Sequence, residues 1–369
     1  MRADLKAAYD ATRDFSQKKF RSACFAPFTS LYFDTFGRVR VCCHNVDYLV
    51  GDISQDSIES IWNGSKVREL RKAVAAYDLS HGCQFCEWRI SLGSFSSISM
   101  RAWDRFPVKA ICPKWPQMME FSISNTCNLE CVMCVGHASS AIRARREKLP
   151  PLAKAYHNRF FVELEKYLPH LKRAKFLGGE PFLQEECFRI WETMIRQDLR
   201  IRCHVTTNGT QWNARVERVL SKLPFELAIS MDGFTKQTVE SIRVNAAHEK
   251  LLANFRAFHA YARENDTGIS LTFCLMRQNW HELGQFCAFG DEWGCPVFVN
   301  TVRRPPECSL FNLPTTELNR IVERMEKEEV TLLPKLKMNA PVWLGELDRL
   351  RSMVRSNPSS GYLHILSSA

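Results

Sequence analysis

Short apolar runs with polar tips alternate with longer stretches of helical periodicity along much of this chain. Lys175-Phe176-Leu177 is such a run and ends in Gly178-Gly179-Glu180-Pro181. Ile201 to Thr207 is a second and ends at Asn208-Gly209, and Leu227-Ala228-Ile229-Ser230-Met231-Asp232-Gly233 repeats the design. Segments 185–197, 211–222 and 236–263 follow these runs with apolar positions three and four apart, which predicts helices. Strand, polar tip, helix, strand predicts a parallel α/β barrel or sheet, with ligands at the C-terminal strand tips. Glycines at a strand end let a ligand approach the backbone closely, and Pro181 stops the ladder. Two further strands are predicted at Leu271–Leu275 and Val297–Val302. Beyond Pro305-Pro306 the alternation ends, and 315–356 reads as helices broken by prolines.

The first hundred residues have another pattern. Leu31 to Cys42 reads as a hairpin turning near Asp34 to Gly37. Ile58 to Trp62 and Val67 to Leu70 read as helix interrupted at Gly64-Ser65. Lys109 to Pro116 is a proline-punctuated linker. The expected division is 1–112 for an N-terminal helix and small metal-binding domain, 113–310 for the barrel and 311–369 for a helical extension.

Fifteen cysteines in 369 residues, without an apolar signal-like stretch at the start, point to metal and redox work in a reducing, cytoplasmic setting. No apolar run is long enough to cross a membrane as a helix. A formal charge of +10 hints at an acidic partner but is too mild to argue for nucleic acid. The run Arg143-Ala144-Arg145-Arg146-Glu147-Lys148 reads as a solvated helix face, or less simply as a receiver of acidic groups. Cys112, Cys187, Cys203, Cys287 and Cys295 read as packing residues.

Cys127, Cys131 and Cys134 stand in the spacing C-x3-C-x2-C. Three thiolates can hold three irons of a cubane cluster and leave the fourth open to a small molecule. The same spacing on a helix would put three small apolar side chains on one face. Cys24, Cys42, Cys83 and Cys86 could complete a four-thiolate site, with Cys43 the competitor for Cys42. Four thiolates suit structural zinc as well as an iron–sulfur cluster.

In their order, the three cysteines, the glycine-glycine-glutamate-proline tip and the later strand tips resemble the radical S-adenosylmethionine enzymes over roughly residues 117–305. Cys24, Cys42, the tryptophan-containing helix and Cys83-Gln84-Phe85-Cys86 look like the twitch domain, a short form of the SPASM domain. The fold this implies is α/β, a partial (β/α)6 TIM-like barrel with a small N-terminal α+β module of hairpin and helix. The resemblance implies a [4Fe–4S] cluster on Cys127, Cys131 and Cys134 whose open iron takes S-adenosylmethionine. It implies an auxiliary [4Fe–4S] cluster on Cys24, Cys42, Cys83 and Cys86.

By the same resemblance, Gly178, Gly179 and Glu180 would meet the methionine amino group, and Asn208 and Ser230 the ribose or methionine part. Arg243 would pair with the methionine carboxylate, for which an arginine fork is suited. Relatives usually carry an aromatic residue before the third cysteine, where this chain has Met133, and they place the auxiliary domain after the barrel rather than before it. The implied reaction is reductive cleavage of S-adenosylmethionine to a 5′-deoxyadenosyl radical that takes a hydrogen atom from a peptide or sugar-like substrate. An external low-potential donor such as flavodoxin or ferredoxin would supply the electron. An auxiliary cluster favours net oxidation, by dehydrogenation or cross-linking. Redox-neutral epimerisation, with Cys308 or Cys274 returning a hydrogen atom, is the alternative. A non-catalytic zinc or iron–sulfur scaffold is a third reading. No module of about 80 residues precedes Cys24, which weakens a leader-peptide mechanism.

Overall fold

The computed structural model describes residues 1–355 apart from 92, 94, 96 and 97. Its strands are β1 (Ser30–Phe33), β2 (Arg38–Arg40), β3 (Gly51–Asp52), β4 (Met118–Phe121), β5 (Arg173–Phe176), β6 (Arg202–Thr207), β7 (Phe225–Ser230), β8 (Ile269–Leu275) and β9 (Val297–Thr301). From β4 to β9 helices separate successive strands, the alternation of a (β/α)6 partial barrel. The chain forms two compact units and passes between them repeatedly. Met1–Asn125, Leu152–Gly178 and Gln184–Cys203 make the first; Thr126–Pro151, Gly179–Leu183 and the chain from His204 onward make the second.

In the first unit the hairpin lies where the sequence places it. Tyr32 pairs with Arg40 antiparallel, and the Asp34 carboxylate accepts hydrogen bonds from the backbone of Phe36 and Arg38 to close the turn. β1 also pairs in parallel with β4, and β4 with β5, giving the order β3-β2-β1-β4-β5. Strand side chains alternate between faces. Phe33, Phe121 and Phe176 stand side by side on one face with ring centroids 5.7 and 5.2 Å apart. Phe160 and Trp191, from helices Asn158–Leu164 and Glu185–Arg196, close over this row. The latter helix buries Cys187, Phe188, Trp191 and Met194, the stripe its periodicity predicts. Helices Ile58–Trp62 and Ser65–Ala75 flank the Gly64-Ser65 break, the first opened by a Ser57–Ser60 capping box. Cys112 is exposed, which corrects its reading as a packing residue.

In the second unit β7, β8 and β9 run parallel, with Leu227 opposite Ile269 and Leu271 opposite Val297. The helix patterned from 211 begins at Ala214, because the Asn213 side chain accepts from the N–H groups of Arg215 and Val216. The single helix patterned over 236–263 is two, Lys236–Ile242 and His248–Glu264. The break falls at Arg243 to Ala247, where Asn245 adopts a φ of 76°. Helices Thr315–Leu332 and Ala340–Arg355 follow, and they bury Leu318, Met325, Trp343 and Leu347. Residue 356, the end of that patterned stretch, lies outside the described residues. Among the described residues no helix is long and apolar enough to cross a membrane.

Candidate functional site

Cys127 to Cys134 form a loop, not a helix, so the one-face packing alternative falls. The loop is held from several directions. The N–H groups of Glu130 and Val132, on either side of Cys131, donate to the carbonyls of Val244 and Ile242 at 3.0 and 2.9 Å. The break between the two helices is thus a backbone rung for the cysteine loop, and it sets Arg243 opposite Cys131. Ser139 Oγ donates to the Leu129 carbonyl at 2.7 Å, and Cys127 exchanges hydrogen bonds with Ser140.

The basic run is mostly exposed, as a solvated face is, and two of its cations also reach the cysteine loop. Arg145 pairs with Glu130 at 3.1 Å, and Arg146 donates to the carbonyls of Glu130 and Cys131. Two of the run's cations therefore brace the loop, while Arg143 donates to the Pro150 carbonyl.

The strand-tip residues converge beside the loop. Glu180 is fully buried. Its carboxylate accepts from Asn208 N–H at 2.6 Å, Thr207 Oγ1 at 2.8 Å and Phe182 N–H at 3.0 Å, while its own N–H donates to the Thr126 carbonyl. Burial pushes the Glu180 carboxyl up to about 7, against the pull of these donors. Asn208 Nδ2 donates to Asn128 Oδ1 at 3.0 Å and lies 3.8 Å from Cys127 Sγ. Gly178 has a φ of 78°, and a Cβ there would lie 2.2 Å from Ser122 Oγ, so only glycine fits this tip. Gly179 also has a positive φ, 49°. Ser230 is half-buried at the end of β7, opposite Thr272.

Arg243 and Asp232 form a buried ion pair, Nη2 to Oδ2 2.6 Å. Asp232 Oδ1 accepts from the Cys274 N–H at 2.6 Å. Burial lowers the Arg243 pKa, but Asp232 and the thiols of Cys131 and Cys274 outweigh it and hold the guanidinium firmly charged. Arg243 Nε is buried without a hydrogen-bond partner, a donor left for a ligand. Asp232 is therefore more than the turn cap its position before Gly233 suggests.

Cys308, on the loop after β9, is buried in an apolar cluster with Ile242, Met276 and Val302. Cys274, Val132 and Met133 pack against that cluster. Both candidate thiols thus share their surroundings with two residues of the cysteine loop.

In the first unit, Cys24, Cys42, Cys83 and Cys86 line one cavity together with Asn45 and Trp103. Cys43 is not on its wall, which separates it from Cys42; it interacts instead with Glu120 and Lys175. Among the described residues no three His, Cys, Asp or Glu side chains converge on the position of a single ion. The four thiols line one space. Asn45 Nδ2 donates to Cys83 Sγ at 3.3 Å and Ala26 N–H to Cys24 Sγ at 3.3 Å, contacts that suit thiolates. Burial pushes the Cys83 thiol up to about 11 and the Cys86 and Cys131 thiols up to about 12. Each is a protonated thiol at neutral pH until a metal group displaces its proton.

Comparison with known proteins agrees with this geometry. Residues 121–290 match the family model of the radical SAM superfamily, and residues 24–87 that of SPASM, an iron-sulfur cluster-binding domain. The chain carries a radical SAM domain and, on its N-terminal side, a SPASM-type domain. Its cofactors are accordingly [4Fe–4S] clusters and S-adenosylmethionine.

The mycofactocin maturase MftC of Mycolicibacterium smegmatis is 22% identical over 189 residues, which cover 51% of this chain and 45% of that protein. The AdoMet-dependent heme synthase of Methanosarcina barkeri is 24% identical, covering 50% and 49%. The chain spans about half the length of these curated relatives. Among solved structures, native anSMEcpe with bound AdoMet aligns with a TM-score of 0.43 and 16% identity, covering 58% of this chain and 61% of that one. Streptococcus suis SuiB bound to precursor peptide SuiA aligns with a TM-score of 0.44 and 12% identity, covering 72% and 64%.

Proposed function

We propose that this chain is a radical S-adenosylmethionine enzyme in which Cys127, Cys131 and Cys134 hold the cluster that binds S-adenosylmethionine. The observation that carries this is the braced cysteine loop with Asn208 and Glu180 at its side. When bound, the cluster and S-adenosylmethionine together supply reductive cleavage to methionine and a 5′-deoxyadenosyl radical, the agent of hydrogen-atom abstraction. The chain's part is to bind, orient and exclude water. Gly178 and Gly179 keep the β5 tip free of side chains. Glu180 fixes the backbone of Thr207 and Asn208 and offers its remaining lone pairs to a methionine ammonium group. Arg243, held charged by Asp232, directs its free Nε–H at a carboxylate. Asn208 and Ser230 offer polar groups to the ribose or methionine part. The apolar wall of Val132, Met133 and Met276 keeps water from the loop.

Cys24, Cys42, Cys83 and Cys86 hold the second cluster, and four thiolates leave no ligand position on it for substrate. That supports net oxidation, by dehydrogenation or cross-linking, of a peptide or sugar-like metabolite, with a low-potential protein such as flavodoxin or ferredoxin as electron donor. The packing of Cys274 and Cys308 against the cysteine loop favours one second reading, a redox-neutral epimerase with a thiol as hydrogen donor.

The test is chromatography of the quenched reaction of reconstituted, dithionite-reduced protein with S-adenosylmethionine. We expect 5′-deoxyadenosine, even slowly and without substrate. None above a Cys134→Ala control would overturn the enzyme reading.

A further inference from the structure

Opposite the phenylalanine row of the first unit lies a polar one. The strand register sets Arg40 beside Tyr32, Tyr32 beside Glu120 and Glu120 beside Lys175, so one side chain from each of β2, β1, β4 and β5 stands in a single lateral row. Neighbours in such a row are about 4.8 Å apart at the backbone. Because strand side chains alternate, this row faces away from Phe160 and Trp191, which cover the phenylalanine face. Lys175 lies three residues before Gly178, so the row sits at the C-terminal end of β5, where parallel α/β folds bind ligands.

The row's groups satisfy one another only in part. Glu120 is 1% exposed, and its Oε2 meets Lys175 Nζ at 3.3 Å. Its Oε1 is buried without a hydrogen-bond partner. Arg40 rests its guanidinium 4.8 Å from the Tyr32 ring centroid and reaches Asp34 at 3.4 Å, but its Nε is buried and also unpartnered. A buried carboxylate oxygen and a buried guanidinium N–H left alone are costly, and such groups normally have partners. The Lys175 side chain is 29% exposed, so the row opens at that end.

We propose that Arg40, Tyr32, Glu120 and Lys175 form a binding row for an amide group of the substrate, a reading that rests on the enzyme function proposed above. The free valences are one acceptor, on Glu120, and one donor, on Arg40, on opposite sides of Tyr32. A trans amide is planar and points its N–H and its C=O in opposite directions. It would donate to Glu120 Oε1 and accept from Arg40 Nε without bringing charge. Glu120 and Lys175 already neutralise each other, and Arg40 faces Asp34, so the row does not call for an ionic ligand. Peptide bonds supply this chemistry, whereas the cis lactam edges of heterocycles point N–H and C=O to the same side and do not.

Saturation-transfer NMR on the purified full chain tests this without turnover. The probes are a pool of N-acetyl dipeptide amides, a lactam pool of uridine and inosine, and a polyol pool of glucose and sorbitol. We expect transfer to the amide pool and none to the cis-lactam or polyol pools. Hydrogen bonds to charged groups of this kind lead us to expect about tenfold weaker binding in Arg40→Met and in the charge-neutral Glu120→Met/Lys175→Met. A Val330→Ser variant, altered at an exposed position, serves as control. A diazirine-bearing acetyl amide photolysed with the wild type makes the test independent of variant folding. It should label peptides that carry Tyr32, Arg40, Glu120 or Lys175. The proposal is overturned by no transfer to the amide pool, by transfer to the lactams or polyols alone, by binding that survives in folded variants, or by labelling elsewhere alone. Absence of 5′-deoxyadenosine from the wild type would overturn the enzyme reading instead, since binding is read separately.

Discussion

The Asn208 backbone N–H donates to the Glu180 carboxylate at 2.6 Å, so the acid that follows Gly178-Gly179 sets the backbone at the tip of β6. Glu180 is fully buried, and burial raises its carboxyl to about 7 from an ordinary 4.5. A carboxyl whose folded pKa is raised contributes stability that is full below about 4.5 and is lost as pH rises through about 7. We expect Glu180→Gln to flatten this part of the urea-unfolding profile between pH 4.5 and 7. A wild-type slope that persists in the variant would assign the pH dependence to other groups.

Arg243 and Asp232 should be coupled. Removing one member of a buried pair leaves an uncompensated charge, which costs about 3–5 kcal/mol. We expect Arg243→Met and Asp232→Asn each to lower stability by that order in the apo protein, and the double variant to lose clearly less than the sum. Additive losses in a double-mutant cycle would show that the pair is not coupled.

The legible parts of this molecule are those written in local pattern. The hairpin, the Gly64 break, β5 to β9 and their helices follow from alternation, periodicity and turn chemistry in short windows. Cys127, Cys131 and Cys134 are close in sequence and announce themselves. The partnership of Ile242 and Val244 with Glu130 and Val132 joins segments over a hundred residues apart through backbone atoms, which no side-chain pattern encodes. The pairing of β1 with β4 is of the same kind. Cys308 lies on a polar loop, and Ile242, Met276 and Val302 supply the apolar surroundings that bury it. The capping side chain of Asn213 was a readable signal for the later helix start. The row from Arg40 to Lys175 was not readable, since only register across four strands assembles it.

Cys42 and Cys43 are adjacent, yet only Cys42 lines the cavity shared with Cys24, Cys83 and Cys86. We expect Cys43→Ala to keep the iron of the second site after anaerobic reconstitution and Cys42→Ala to lose it. The reverse pattern would exchange the two assignments.

Loading should be favoured by alkali. Burial keeps Cys83, Cys86 and Cys131 protonated far above neutral pH, and each thiol that becomes a ligand must release its proton. We expect the iron retained after reconstitution to rise from pH 7 to pH 8.5. An extent that is flat or falls over this range would mean that thiol deprotonation does not limit loading.

The central claim is that two separate cysteine sets each hold a cluster, one open and one closed. Iron and sulfide analysis after anaerobic reconstitution tests it most directly. The wild type should carry about eight irons per chain, and Cys127→Ala/Cys131→Ala/Cys134→Ala about four, since each [4Fe–4S] cluster brings four. A triple variant with iron near zero, or with zinc in place of its remaining iron, would contradict the assignment of Cys24, Cys42, Cys83 and Cys86.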